Sequence, residues 1–285
     1  MFAITGVTGK VGGIIARALL DAGLPVRAVV RDSKKGEPWA AQGCEVAIAD
    51  ISDAAAMTKA FEGTEGVFLM APPNYDPQPG FPQTRENAVA VKKAIDAARP
   101  GKVVFLSTIG AHVGELNLLN NSKMMEEMLR SLAVPVALLR PGWFMENAAW
   151  DVEPARTGVV PCFLQPLDHA LPMVATADIG LTASELLRET WQGVRVVELE
   201  GPRRYSANDI AAGFASVLGH AVRMDPVPRN TWEALFHAQG MNNPTPRIRM
   251  LDGFNEGWID FEGSGAEHRT GTTQLDVVLK ELVLK

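Results

Sequence analysis

The sequence predicts an α/β fold, a doubly wound parallel sheet followed by a smaller, irregular C-terminal lobe. Three observations carry this. Six short, β-rich apolar runs alternate with helix-like stretches through the first half of the chain, as repeated strand–helix–strand units do. The runs are continuously apolar rather than alternating, as strands buried on both faces must be. A turn with glycines at Gly6, Gly9 and Gly12 joins the first run to the first helix.

The elements follow in order. Met1–Thr5 is the first strand. Lys10–Asp21 is a helix, because Val11, Ile14, Ile15, Ala18 and Leu19 recur at helical spacing on one face. Gly23 and Pro25 end it. Strand Val26–Arg31, a short helix at Pro38–Gln42, strand Glu45–Ala49 and helix Asp53–Phe61 come next. Strand Gly66–Met70, helix Gln83–Ala98, strand Val103–Ser107, helix Ser122–Ala133 and strand Val136–Arg140 complete the alternation. Past about residue 142 it stops, and proline-rich loops mix with helices at Thr176–Glu189, Ala207–Leu218, Arg229–Gln239 and Gln274–Leu284. Val194–Leu199 is one further strand expected to rejoin the sheet.

Composition narrows the class. Lys and Arg number 27 against 33 Asp and Glu, a net charge of −6, which disfavours nonspecific binding to nucleic acid or anionic lipid. No apolar run is long enough to span a membrane, and no leader pattern opens the sequence. Two cysteines, Cys44 and Cys162, make no disulfide framework. The five histidines, His112 among them as a weak catalytic candidate, show no zinc spacing, so no metal is expected. The expectation is a soluble cytoplasmic protein.

The glycines carry the chemistry. A phosphate approaching the backbone N–H groups of a helix N-terminus is blocked by any side chain there. In such turns the first glycine allows the tight bend, the second admits a pyrophosphate, and the third lets helix and strand pack. The motif follows a strand and opens an amphipathic helix, the context that makes it a Rossmann dinucleotide site. Residues 1–150 are therefore read as the dinucleotide-binding domain and 151–285 as the substrate lobe, with about 176–199 returning to the sheet. Gly6, Thr8, Gly9, Lys10, Val11 and Gly12 form the expected cofactor loop. Arg31, 19 positions past Gly12, stands where a NAD site usually has a carboxylate. An arginine there suits a 2′-phosphate, and Lys34 and Lys35 add positive charge, so NADP(H) is preferred over NAD(H), although Asp32 offers a carboxylate. Asp50 and Ile51 are placed at the adenine, or else at a helix start with Ser52 or Asp53 capping. Ala71, Pro72 and Pro73 are placed along the cofactor passage.

Two later segments bring in a resemblance. KMMEEMLRSLAVPVALLRPGWFMEN, residues 123–147, and GPRRYSANDIAAGFASVLGHAV, residues 201–222, together with the glycine turn and Arg31, resemble the NmrA-like family of atypical short-chain dehydrogenases. That family includes NADPH-dependent quinone reductases, triphenylmethane-dye reductases and isoflavone-type reductases, and also NADP-binding regulators. The resemblance implies the fold and the cofactor more firmly than the function.

One departure matters. The wider superfamily uses Tyr-x-x-x-Lys, the tyrosine giving a proton and the lysine lowering its pKa. Lys123 matches the lysine by position, but the residue four before it is Leu119. As in the isoflavone-type reductases, Lys123 lies in the helix before the next strand's proline, 12 residues ahead of Pro135. It is read as holding the nicotinamide ribose, as the acid itself if burial lowers its pKa, or as a solvated lysine at a helix start. Ser107 and Thr108 end the fifth strand, where catalytic and cofactor groups of open α/β sheets collect. Tyr75, Trp143, Phe144 and Asn147 are the substrate candidates. Trp150 and Met124, Met125 and Met128 add apolar bulk, although more than half of these aromatics and methionines are expected to be core. The leading expectation is an NADPH-dependent reductase passing hydride to a small, apolar, conjugated acceptor: a quinone, dye, imine or enone. The alternative is a non-catalytic NADP(H) sensor acting through a partner protein. An epimerase or dehydratase is disfavoured, because that chemistry leans on the missing Tyr-Lys pair. A homodimer is left open.

Overall fold

The structure, a computed structural model, describes residues 1–284; Lys285 lies outside the described residues. The chain runs β1 (Phe2–Thr5), α1 (Lys10–Asp21), β2 (Val26–Val30), α2 (Ser33–Ala40), β3 (Glu45–Ile48), α3 (Ala54–Phe61), β4 (Gly66–Leu69), α4 (Pro82–Ala98), β5 (Val103–Leu106), α5 (Asn120–Leu129) and β6 (Val136–Pro141). Then come β7 (Trp143–Phe144), α6 (Val152–Arg156), β8 (Val159–Cys162), β9 (Leu171–Val174), α7 (Thr176–Arg188), β10 (Val194–Glu200), β11 (Arg204–Tyr205) and α8 (Ala207–Leu218). The last are β12 (Arg223–Pro226), α9 (Trp232–Ala238), α10 (Thr245–Glu256), β13 (Glu267–Thr270) and α11 (Leu275–Val283).

Eight strands form one parallel sheet in the order β13-β10-β6-β5-β4-β1-β2-β3. The order reverses between β1 and β4, the switch point where doubly wound sheets bind ligands at the strands' carboxyl ends. On one face α1 and α7 press Ile15, Leu19, Ile179 and Leu186 onto Phe2, Ile4 and Phe68. On the other, α3, α4 and α5 supply Met57, Val91, Ile95 and Met125 against Val67, Phe105 and Leu138. A second body packs around Phe214, Phe254, Met173 and Leu279, with a satellite of Trp232, Phe236, Ile248 and Leu251. It is framed by the small sheets β11-β9-β7 and β12-β8.

The short strands β7, β8, β9, β11 and β12 and the helix α6 are not expected from the sequence, and three further features depart from it. α2 starts at Ser33 rather than Pro38, because Asp32 accepts from the Lys34 N–H at 2.9 Å and caps it, leaving Pro38 inside the helix. α10 lies in a stretch whose prolines read as loop. Pro244 and Pro246 stand at its start, where a missing N–H costs no helical bond. A second late strand, β13, joins the sheet edge beside β10. Its residues, EHRT, carry no apolar run, so pattern reading has nothing to detect.

Candidate active site

The glycine turn leaves β1 at the switch point. Thr5 Oγ1 donates to the Phe68 carbonyl at 3.1 Å and accepts from the Met70 N–H at 2.8 Å, so one hydroxyl staples the ends of β1 and β4. Gly6 takes φ +62°, and a Cβ there would fall 2.2 Å from Met70 Cε. A Cβ on Gly12 would meet the Gly6 carbonyl oxygen at 2.3 Å. Glycine is required at the first position for the turn and at the third for helix–strand approach. Gly9 is exposed and heads α1 with no side-chain cap, and the first turn of α1 holds no acidic residue. Thr8, Gly9 and Lys10 are exposed beside it, whereas Val11 is buried. A helix N-terminus left with unpaired N–H groups is an anion site.

At the ends of β2 and β3, Arg31, Lys34 and Lys35 are exposed. The Asp32 carboxylate is committed to the α2 cap. Asp50 Oδ1 accepts from the Ser52 hydroxyl at 2.7 Å and its N–H at 3.0 Å. Those bonds, with Arg31 nearby, hold the Asp50 carboxyl below its usual range. Ile51 packs against the core under α3, which Asp53 caps. Asp53 thus caps the helix as the second reading of this segment has it, with Asp50 and Ile51 at the turn before it.

At the ends of β4 and β5, Ala71 is half-buried and Pro72 and Pro73 are exposed. Thr108 is half-buried after β5. Lys123, half-buried in the first turn of α5, donates to the Val113 carbonyl at 3.0 Å, so its ammonium is tied to the loop after β5 rather than free in solvent. Leu119 fills the position of the missing tyrosine and packs against the C-terminal body. Tyr205 is buried in that body, its hydroxyl donating to Gln274 at 2.8 Å, and Tyr75 is exposed. No phenol stands beside Lys123 in the Tyr-x-x-x-Lys manner. Among the described residues no His, Cys, Asp and Glu side chains gather to hold a metal, and no helix is long and apolar enough to cross a membrane.

The glycine turn, the lysine helix and the loop after β6 thus stand on one edge of the sheet, and the NmrA-like family model matches residues 1–260. The chain belongs to the NmrA-like family. Quinone oxidoreductase 2 of Escherichia coli (strain K12) is 28% identical over 247 residues, covering 85% of this chain and 82% of that protein. The NAD(P)H azoreductase of Xenophilus azovorans is 25% identical over 227 residues, covering 78% and 76%. The crystal structure of the E. coli NADPH-dependent quinone oxidoreductase complexed with NADPH superimposes with a TM-score of 0.81 over 99% of each chain, at 25% identity.

Behind the ends of β5 and β6 lies a largely buried polar network that the sequence reading did not supply. Ser107, expected to face a ligand, is buried and donates to Glu126 Oε1 at 2.5 Å. Glu126 in turn accepts from Arg140 Nε at 2.8 Å and Nη2 at 2.6 Å, and Arg140 Nη1 donates to Glu262 at 2.6 Å. Burial works against the Arg140 charge, but Glu126 and Glu262 outweigh it and hold its pKa above the ordinary value. Arg140 conversely holds the Glu262 carboxyl below its usual range. Asn117 and Asn120 tie the approach to α5: Asn117 N–H donates to Asn120 Oδ1 at 2.9 Å and Leu119 N–H to Asn117 Oδ1 at 2.7 Å. The signal of this network in the sequence is Arg140, an arginine inside an apolar strand.

The substrate candidates separate. Trp143 is half-buried, edge-on to Phe254 with ring centroids 5.2 Å apart. Phe144 turns into the main core instead of the cleft, because β7 pairs it with Val174. Met125 and Met128 belong to the core under α5. Asn147 and Trp150 are exposed. The loop carrying Tyr75 is held at both ends. Asn121 of α5 donates to the Asn74 carbonyl at 3.5 Å, and Asp76 accepts from the N–H groups of Asn242 and Asn243 at 2.9 and 2.7 Å.

Proposed function

We propose that this chain is an NADPH-dependent reductase that passes a hydride to a small, flat, conjugated acceptor such as a quinone or an azo or triphenylmethane dye. The observation that carries the reading is the uncapped, carboxylate-free N-terminus of α1 at the switch point, one strand away from the exposed Arg31 and Lys35. The relatives named as quinone and azo reductases agree with it. Gly6, Thr8, Gly9, Lys10 and Gly12 would hold the pyrophosphate, Arg31 and Lys35 the 2′-phosphate, and Asp50 and Ile51 the adenosine. Ala71, Pro72, Pro73 and Thr108 would flank the nicotinamide, with Lys123 at its ribose. The cofactor supplies the hydride. The chain supplies orientation, worth more here than acid catalysis, because a reduced quinone or dye takes its proton from water. That is why Leu119 is tolerated where a tyrosine would otherwise donate. Ser107 acts at one remove, holding Glu126 and with it the helix that bears Lys123. A reducing, cytoplasmic setting suits the two unpaired cysteines, both buried.

The test is NADPH oxidation by the purified chain over a panel of quinones, azo and triphenylmethane dyes, and cyclic imines, with Lys123→Ala alongside. Turnover well above background, lowered about 10-fold or more in the variant, is expected with at least one acceptor. Tight NADPH binding with no turnover on any acceptor would transfer the case to a sensor.

A further inference from the structure

The second body holds a charged group that the cofactor site does not use. Among the described residues, the arginines that are not fully exposed are Arg27, Arg140, Arg195, Arg247, Arg249 and Arg269. All but one have a carboxylate oxygen between 2.5 and 3.4 Å away. The exception is Arg247, in the first turns of α10. Its guanidinium lies over the Phe236 ring, 4.5 Å from the centroid, and Nη1 donates to Met241 Sδ at 3.6 Å. A thioether is a weak acceptor, so most of the five N–H donors of this half-buried group lack a strong partner among the described residues. Burial accordingly pushes its pKa below the ordinary value, with only the Tyr75 phenol acting in the other direction. It remains a cation at neutral pH.

Its place matters as much as its charge. Asn242 and Asn243, bound by Asp76, come five and four residues before it and bring the Tyr75 loop against the start of α10. Met241 and Ile248, on either side of it in sequence, belong to the apolar cluster against which Trp143 packs. Arg247 therefore stands where the Tyr75 loop and the Trp143 loop meet the second body. A planar fork stacked on an aromatic ring and short of acceptors is built to receive an oxyanion.

Resting on the reductase reading, we propose that Arg247 anchors an anionic arm on the acceptor, a carboxylate, sulfonate or phosphate ester attached to a flat conjugated body. The ring system lies toward Trp143 and Tyr75 and the anion pairs with the guanidinium. The chain would then prefer charged acceptors over neutral ones of the same shape.

The test compares the full-length chain with Arg247→Met, which keeps the stem over Phe236, and Arg247→Lys, which keeps the charge and loses the fork. Naphthalene-2-sulfonate and 2-naphthol are titrated by calorimetry without cofactor. In parallel, KM is measured for a naphthoquinone and its sulfonate with NADPH. The sulfonate is expected to bind the native chain, more weakly as salt rises. Its affinity relative to 2-naphthol should fall about 10-fold or more in Arg247→Met, and the sulfonate-to-neutral KM ratio should rise by a similar factor. Arg247→Lys should fall between. Equal affinities in all three proteins, an equal loss for both probes, or sulfonate binding by none would overturn the anchor. If neither quinone is reduced while the sulfonate still binds through Arg247, the reductase reading fails and the anchor stands. If both quinones are reduced alike by all three proteins, the reverse holds. Should Arg247→Met melt far below the native chain, the Arg247→Lys ratio decides.

Discussion

A methyl group on Gly9 would stand 3.3 Å from the Gly6 carbonyl oxygen and touch little else. The same group on Gly12 would stand 2.3 Å from that oxygen and 2.6 Å from its carbon, both rigid backbone. The two substitutions should therefore fail differently. Gly9→Ala is expected to fold with a melting temperature within about 2–3 °C of native, yet to bind NADPH at least about 10-fold more weakly, because its Cβ enters the phosphate approach. Gly12→Ala forces α1 off β1 and should lose stability as well, by about 1–3 kcal/mol. Thermal melts with NADPH fluorescence titrations separate the two. Residue-level reading reached this far because the roles of Gly6, Gly9 and Gly12 follow from spacing in a local strand–turn–helix. It stopped at Ser107, Phe144 and Arg247. Their surroundings are set by partners 19, 30 and 11 positions distant, and no local pattern encodes which side chain arrives there.

At the scale of elements, α5 decides whether Lys123 can reach the cofactor edge. The helix has no side-chain N-cap. Glu126, one turn after Lys123, instead locks it to β5 through Ser107 and to β6 through Arg140, both charged side chains nearly excluded from solvent. Removing one partner of a buried pair leaves an uncompensated charge, which costs more than the pair contributes. Arg140→Met should lower stability by about 3–5 kcal/mol in urea unfolding. Arg140→Met combined with Glu126→Leu should recover a large part of that loss, because no buried carboxylate is then left alone. If the double variant is no better than the single, the network is not acting as a coupled pair. The strands and helices of the first half were legible because each is an uninterrupted apolar run or a single apolar stripe. β13 and the short strands of the second body were not. They are polar or only two to four residues long, and they exist because neighbouring elements offer unpaired edges.

At the scale of the whole molecule, polar joints tie the sheet to the second body on two sides. Glu262 reaches Arg140 from the second body, and Glu198 of β10 accepts from the N–H groups of Glu262 and Gly263 at 2.6 and 3.2 Å. On the other side, Asp76 spans from the Tyr75 loop to Asn242 and Asn243, accepting three hydrogen bonds, and the Pro77 carbonyl accepts a fourth from Asn243 Nδ2 at 2.7 Å. Backbone N–H groups of Asn242 and Asn243 are the main reason its carboxyl is held below the usual range. The sign follows from that depression. A carboxyl whose folded pKa lies below its unfolded one contributes stability above the unfolded pKa, near 3.9, and loses it as pH falls through the folded value. The latch should thus be closed at neutral pH and loosen only in acid. Asp76→Ala should open it at every pH: amide exchange across residues 71–81 and 239–245 should speed up at pH 7, while the strands of the sheet keep their protection. KM for the acceptor should rise more than NADPH affinity falls, because the glycine turn proposed to hold the phosphates follows β1 and the latch does not touch it. Exchange rates unchanged at pH 7 would mean that the apolar contact and the remaining polar joints hold this edge, and that the Asp76 bonds follow from the closed arrangement without maintaining it.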